Sequence, residues 1–125
     1  MIVSSGGDNI APVPIENALL AYDEIEQVMV YGHNRPFLTA IIVPNENLIN
    51  DVSKNIVKDY SIFQDIVNKV NKQLSQSKKI RKFLLTDQSF NIENNELTPT
   101  LKIKRRIVSA NYAEQFDKLY KKSFF

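Results

Sequence analysis

The chain contains no cysteine and no tryptophan, one histidine and only three glycines in 125 residues. Without cysteine there is no disulfide scaffold, no thiolate metal site and no thiol nucleophile. With His33 as the single imidazole, no His/Cys/carboxylate group shows metal-ligand spacing, and no metal ligand is assigned. The Gly-rich Walker loop and the strained serine elbow are both missing. Long hydrophobic runs are missing too. The nearly continuous apolar stretch Phe37–Val43 is far short of the ~20 residues that a spanning helix needs. No charged-then-apolar leader follows Met1, so no secretory signal is expected.

What is present reads as a folded chain of one-domain size. Hydrophobic residues make up 43% and the formal charge is +2, which suits a globular core. That small net charge conceals a split. Residues 1–60 carry eight acids and three bases, whereas residues 61–125 carry six acids and thirteen bases. Lys78, Lys79, Arg81 and Lys82 form one basic cluster, and Lys102, Lys104, Arg105 and Arg106 another. Such asymmetry points to an anionic partner: nucleotide phosphates, coenzyme A, RNA or an acidic protein.

Hydrophobic periodicity divides the chain into elements. Ile2–Val3 ends a strand stopped by Gly6-Gly7, where glycine permits positive φ. Pro14 suits the first position of a helix whose Ile15, Ala18, Leu19 and Tyr22 recur at helical spacing, with Glu16 as a first-turn acid. Val28–Tyr31 and Phe37–Val43 read as an antiparallel hairpin around a Gly- and Pro-containing loop, the second strand buried on both faces. Asn45–Lys54 is expected to be a short helix or turn. Ser61 and Gln64 make a capping box for a helix with Ile62, Ile66, Val70 and Leu74 on one face. Ile80–Leu85 is the next strand. A polar turn at Asn91–Asn95 precedes a last helix burying Val108, Tyr112, Phe116 and Leu119. The expected core includes Leu19, Val28, Ile41, Ile42, Val70, Leu84 and Phe116. The fold class is α+β: one domain with a small central antiparallel or mixed sheet, helices packed on it, and a short N-terminal β-hairpin in front.

Three segments carry chemistry. Glu96–Arg106, ELTPTLKIKRR, puts Lys102 just after a Thr-Pro-Thr-Leu turn and before a helix. A turn can hold a cation at a set distance from a phosphate. Ile2–Leu19, IVSSGGDNIAPVPIENAL, contains a Ser-Gly-Gly turn and a Pro-Ile-Glu helix start. Val28–Asn45, VMVYGHNRPFLTAIIVPN, contains a Gly-x-x-Arg-Pro turn. In order and spacing these segments resemble the C-terminal lid domain of the AMP-forming long-chain acyl-CoA synthetases, over nearly the whole chain.

The resemblance implies a role for each segment. Lys102 becomes the adenylation lysine, a permanent cation between ATP and the substrate carboxylate. Ser5, Gly6 and Gly7 become the loop that lines the coenzyme A thiol channel. Lys104, Arg105 and Arg106 read first as a solvated helix start with interdomain ion pairs. Phosphate contact is the alternative for Lys104 and Arg106, as it is for Lys78 and Lys79. His33 stands where the family often has an acid and is not assigned a base role. ATP, Mg²⁺ and the fatty acid would be bound mainly by a large N-terminal domain whose motifs are not in these residues. That domain would be the lid's partner, with coenzyme A as co-substrate. Residues 1–125 are then the lid domain, with Met1 as a boundary near the family's hinge, and the ligase cytoplasmic or peripheral to a membrane. Two other readings stay open: a basic α+β module for RNA or an acidic protein, and a stand-alone regulatory lid homologue.

Overall fold

The computed structural model describes residues 1–46 and 58–121. Their contacts group into two compact units, Met1–Ser89 and Phe90–Phe125. The expectation for Asn45–Lys54 falls mostly outside the described residues.

In the first unit, β1 (Ile2–Val3) and β2 (Asn9–Ile10) form the N-terminal hairpin, with Ile2 opposite Ile10. Helix α1 runs Pro12–Leu20, so Pro12, not Pro14, takes the first helical position. Pro14 still falls among the early positions whose N–H has no intrahelical acceptor. Ile15 and Leu19 face the core, but Ala18 is exposed. Strands β3 (Ile25–Tyr31) and β4 (Leu38–Pro44) pair antiparallel, and β5 (Ile80–Leu85) joins β4 in parallel, giving the order β3-β4-β5. All seven residues of β4 are buried, as a central strand covered on both faces requires.

Helix α2 (Lys58–Asn71) lays Phe63, Ile66, Val67 and Val70 into a core shared with α1 and the sheet. Ser61 lies inside this helix rather than at its cap, and Gln64 reaches forward to Asn68 instead of back. At the far end of α2, Asn71 holds both backbone groups of Ile80, accepting its N–H at 2.9 Å and donating to its carbonyl at 2.8 Å. Tyr60 stacks on Phe83 with ring centroids 4.5 Å apart, and burial raises its hydroxyl pKa above the ordinary value.

Strand β5 departs from simple alternation. Leu38 pairs with Ile80 but Thr39 with Lys82, which leaves Arg81 as an extra residue. The bulge shifts the inward parity. Phe83 is therefore the buried residue and Leu84, expected in the core, is only half-buried.

In the second unit, Leu97 and Ile103 form an antiparallel bridge. Helices α3 (Arg105–Asn111) and α4 (Ala113–Tyr120) follow where one helix was expected. The break falls at Tyr112, with φ −113° and ψ 19°. Asn and Tyr are both middling helix formers, and the Asn111 amide is engaged elsewhere. Val108 and Phe116 are fully buried, whereas Tyr112 and Leu119 are half-buried.

Candidate functional site

The second unit builds its site from a tight turn. Thr98 N–H donates to the Lys102 carbonyl and Leu101 N–H to the Thr98 carbonyl, both at 2.8 Å. Pro99 presets the first turn dihedral, and Leu101 closes the loop at φ +65°. This is the three-residue hairpin loop whose last residue sits in the left-handed region, usually as glycine. The Thr98 hydroxyl accepts Lys102 N–H at 3.0 Å and lies 3.1 Å from the Thr100 hydroxyl. Lys102 stands exposed at the end of this turn. Lys104, half-buried, donates its ammonium to Asn95. Arg106 is exposed on the first turn of α3.

Below the turn lies an arrangement that the motif alone does not announce. Glu96 is only 4% exposed. Its carboxylate accepts from the Asn94 amide at 2.6 Å and the Asn111 amide at 3.0 Å. Asn91, Asn94 and Asn95 close the preceding turn, Asn95 with φ +65°. The only sequence signal for this is the run of asparagines flanking Glu96.

The first unit carries the second expected site. Ser5, Gly6 and Gly7 are exposed on the β1–β2 turn. Ser4 N–H donates to the Asp8 carbonyl and Gly7 N–H to the Ser4 carbonyl, both at 2.9 Å. Ser4 Oγ accepts Asp8 N–H at 3.1 Å. Only Gly7 has positive φ, +88°, so the expectation of that conformation for Gly6 is corrected. The turn is tied to the loop between β3 and β4: Ser5 N–H donates to the Arg35 carbonyl at 2.9 Å and Asn34 N–H to the Val3 carbonyl at 2.8 Å. His33 accepts Val3 N–H on Nδ1 at 3.3 Å and so helps tie this loop to β1.

Glu16 is not a solvated first-turn acid. It is 5% exposed, and its Oε2 accepts Val30 N–H at 2.8 Å, covering the open edge of β3. Of the first basic cluster, Lys78 is exposed and Lys79 half-buried beside the short 3₁₀ turn Gln76–Lys78. Because of the bulge, Arg81 and Lys82 both lie over the Phe37 ring, at 5.9 and 5.8 Å from its centroid. The two basic clusters belong to different units.

Among the described residues no group of three or more His, Asp or Glu side chains could hold a metal ion. Among them, too, no helix is long and apolar enough to cross a membrane. An RNA-binding sheet would display aromatics on its open face, whereas Phe63 and Phe116 lie on helices and are fully buried.

The small α+β fold has counterparts among adenylate-forming enzymes. The chain belongs to that family, described as the AMP-binding enzyme C-terminal domain, whose profile matches residues 1–124. It is 37% identical over 120 residues to a chloroplastic long-chain-fatty-acid–acyl-carrier-protein ligase of Arabidopsis thaliana, covering 95% of this chain and 16% of the relative. It is 30% identical over 136 residues to a long-chain-fatty-acid–CoA ligase of Mycobacterium tuberculosis, covering 98% of this chain and 23% of the relative. This chain thus spans between a sixth and a quarter of the curated relatives' length. Among solved structures, the A-PCP didomain of a carboxylic acid reductase from Segniliparus rugosus, in complex with AMP, matches with TM-score 0.79 and 28% identity, over 95% of this chain and 17% of that one. The adenylation domain of a carboxylate reductase from Mycobacterium chelonae shares the fold, with TM-score 0.84 and 24% identity, over 95% of this chain and 19% of that one.

Proposed function

We propose that residues 1–125 are the mobile lid of an AMP-forming long-chain fatty acid–CoA ligase, working with an N-terminal adenylation domain of the same protein. The observation that carries this reading is the exposed Lys102 on its hydrogen-bonded turn, within a chain of this family.

In the first half-reaction a fatty acid carboxylate oxygen attacks the α-phosphorus of ATP. The bond to the bridging oxygen breaks, and pyrophosphate leaves. Two anions must meet while the phosphorus gains charge, and the Lys102 ammonium offsets that repulsion. Its turn fixes the cation in advance, so little reorganisation remains at the moment of reaction. In the second half-reaction the thiol of coenzyme A loses its proton, attacks the acyl carbonyl and expels AMP. The Ser5–Gly7 turn serves this step after the lid rotates, its bare Gly7 leaving room beside the thiol. Lys78, Lys79, Lys104 and Arg106 are secondary candidates for phosphate contact. Mg²⁺, where the ligase uses it, would be held by the N-terminal domain, since no group that could hold a metal ion occurs among the described residues. The same reading makes the ligase cytoplasmic or peripheral to a membrane.

A second acceptor has one observation in its favour. The Arabidopsis relative is named for an acyl-carrier protein rather than coenzyme A. Supplying each thiol separately to the ligase distinguishes them.

The test of the lid reading is Lys102→Ala in the full-length ligase. Adenylation is expected to fall by about 10²–10³-fold. Thioester formation from supplied acyl-adenylate is expected to stay near wild type. Equal loss of both half-reactions would overturn the assignment of Lys102 to the first.

A further inference from the structure

We infer that Glu96 is a positioning residue for Lys102, its buried carboxylate clasping the base of the lysine turn to helix α3. This rests on the reading of Lys102 as the adenylation lysine.

Every polar group of Glu96 is engaged, and the partners lie on different parts of the unit. Its N–H donates to the Asn91 carbonyl and to Asn94 Oδ1, each at 3.1 Å. Its carbonyl accepts Lys104 N–H at 2.8 Å, at the position just before α3. Oε1 accepts from Asn94, and Oε2 from Asn111 at the last residue of α3. One residue therefore grips the preceding turn and both ends of the following helix.

The choice of side chain is informative. A carboxylate at 4% exposure is costly unless hydrogen bonded. Here neutral amides hold it, while the nearby ammonium of Lys104 goes to Asn95 instead. An apolar residue could fill the same space, but it could not fix the angle between turn and helix. The directional bonds do that, and Lys102 stands on the turn closed by the Leu97–Ile103 bridge that directly follows Glu96. A slip of the base is carried to the ammonium, and a displacement of about 1 Å can cost ~10²-fold in rate.

The test has two arms. In the 125-residue chain, amide hydrogen exchange at Thr98 and Lys104 is followed by NMR. Glu96→Ala is expected to speed exchange at both by about tenfold or more while leaving the β3 and β4 amides unchanged. Unchanged protection at Thr98 and Lys104 would overturn the clasp.

In the full-length ligase, Glu96→Ala is expected to lower adenylation by about 10- to 100-fold and leave transfer from acyl-adenylate within about twofold. Added to Lys102→Ala, it is expected to cost nothing further, because the cation it positions is gone. Glu96→Gln rescues most of the loss: its carbonyl accepts from Asn94, and its amide donates to Asn111 once that side chain turns over. Equal loss of both half-reactions, or additive loss in the double variant, would make Glu96 merely structural. Asn111→Ala, which removes a single bond, repeats both arms if Glu96→Ala fails to fold. Adenylation that survives Lys102→Ala would overturn the functional reading. Loss with Lys102→Ala but not with Glu96→Ala would overturn the clasp alone.

Discussion

At the scale of single residues, both candidate sites place a residue at positive φ, one at a conformational cost and one without. Leu101 holds φ +65° with a side chain 67% exposed. A non-glycine residue in that region costs on the order of 1–3 kcal/mol, and four hydrogen bonds within Thr98–Lys102 hold it there. Gly7 reaches φ +88° with no such cost, and a Cβ built on it meets nothing within 4 Å. Replacing Gly7 with leucine therefore carries a conformational penalty of about 1–3 kcal/mol but no clash at Cβ. The folded variant is expected to melt lower by a corresponding few degrees, to adenylate normally and to transfer acyl groups to coenzyme A poorly. Wild-type transfer by a folded Gly7→Leu ligase would reduce the loop to an ordinary turn.

Among the elements, the joints between helices and strands rest on a few side chains. Asn71 is the plainest case. Its amide replaces the backbone partner that Ile80 would otherwise lack at the start of β5. Asn71→Ala removes two hydrogen bonds at about 0.5–1.5 kcal/mol each, so chemical denaturation is expected to show a loss of about 1–3 kcal/mol. An unchanged midpoint would mean that α2 and β5 are joined by packing alone. The strands were legible because they obey local rules: β4 is a continuous apolar run, and the β3–β4 loop holds Gly and Pro. What escaped was long-range. Glu16 looks like a helix-start acid until Val30 N–H comes within 2.8 Å. Leu84 looks inward until the Arg81 bulge turns it. The last helix looks continuous until Asn111 gives its amide to a carboxylate fifteen residues away. The lysine turn was legible as a motif, but the Glu96 clasp was not, because hydrogen bonds between asparagines and an acid leave no periodicity.

On the scale of the molecule, the charge asymmetry changes meaning once the units are drawn. By sequence, Met1–Ser89 holds ten acids and nine bases, and Phe90–Phe125 holds four acids and seven bases. The excess cation therefore concentrates in the unit that presents Lys102. The first unit keeps its basic residues local, with Arg81 and Lys82 on Phe37. On the proposed reading the nucleotide pocket belongs to the N-terminal adenylation domain. The 125-residue chain is expected to unfold cooperatively and to show no ATP–pyrophosphate exchange above a denatured control; exchange by this chain alone would refute the lid reading. On the proposed function, one domain serves two half-reactions with two separate parts. This division is tested most directly by measuring both half-reactions in the full-length ligase for Lys102→Ala and Gly7→Leu side by side. Opposite selectivity is expected, with the lysine variant losing adenylation and keeping transfer, and the glycine variant keeping adenylation and losing transfer. Parallel losses in the two folded variants would contradict it.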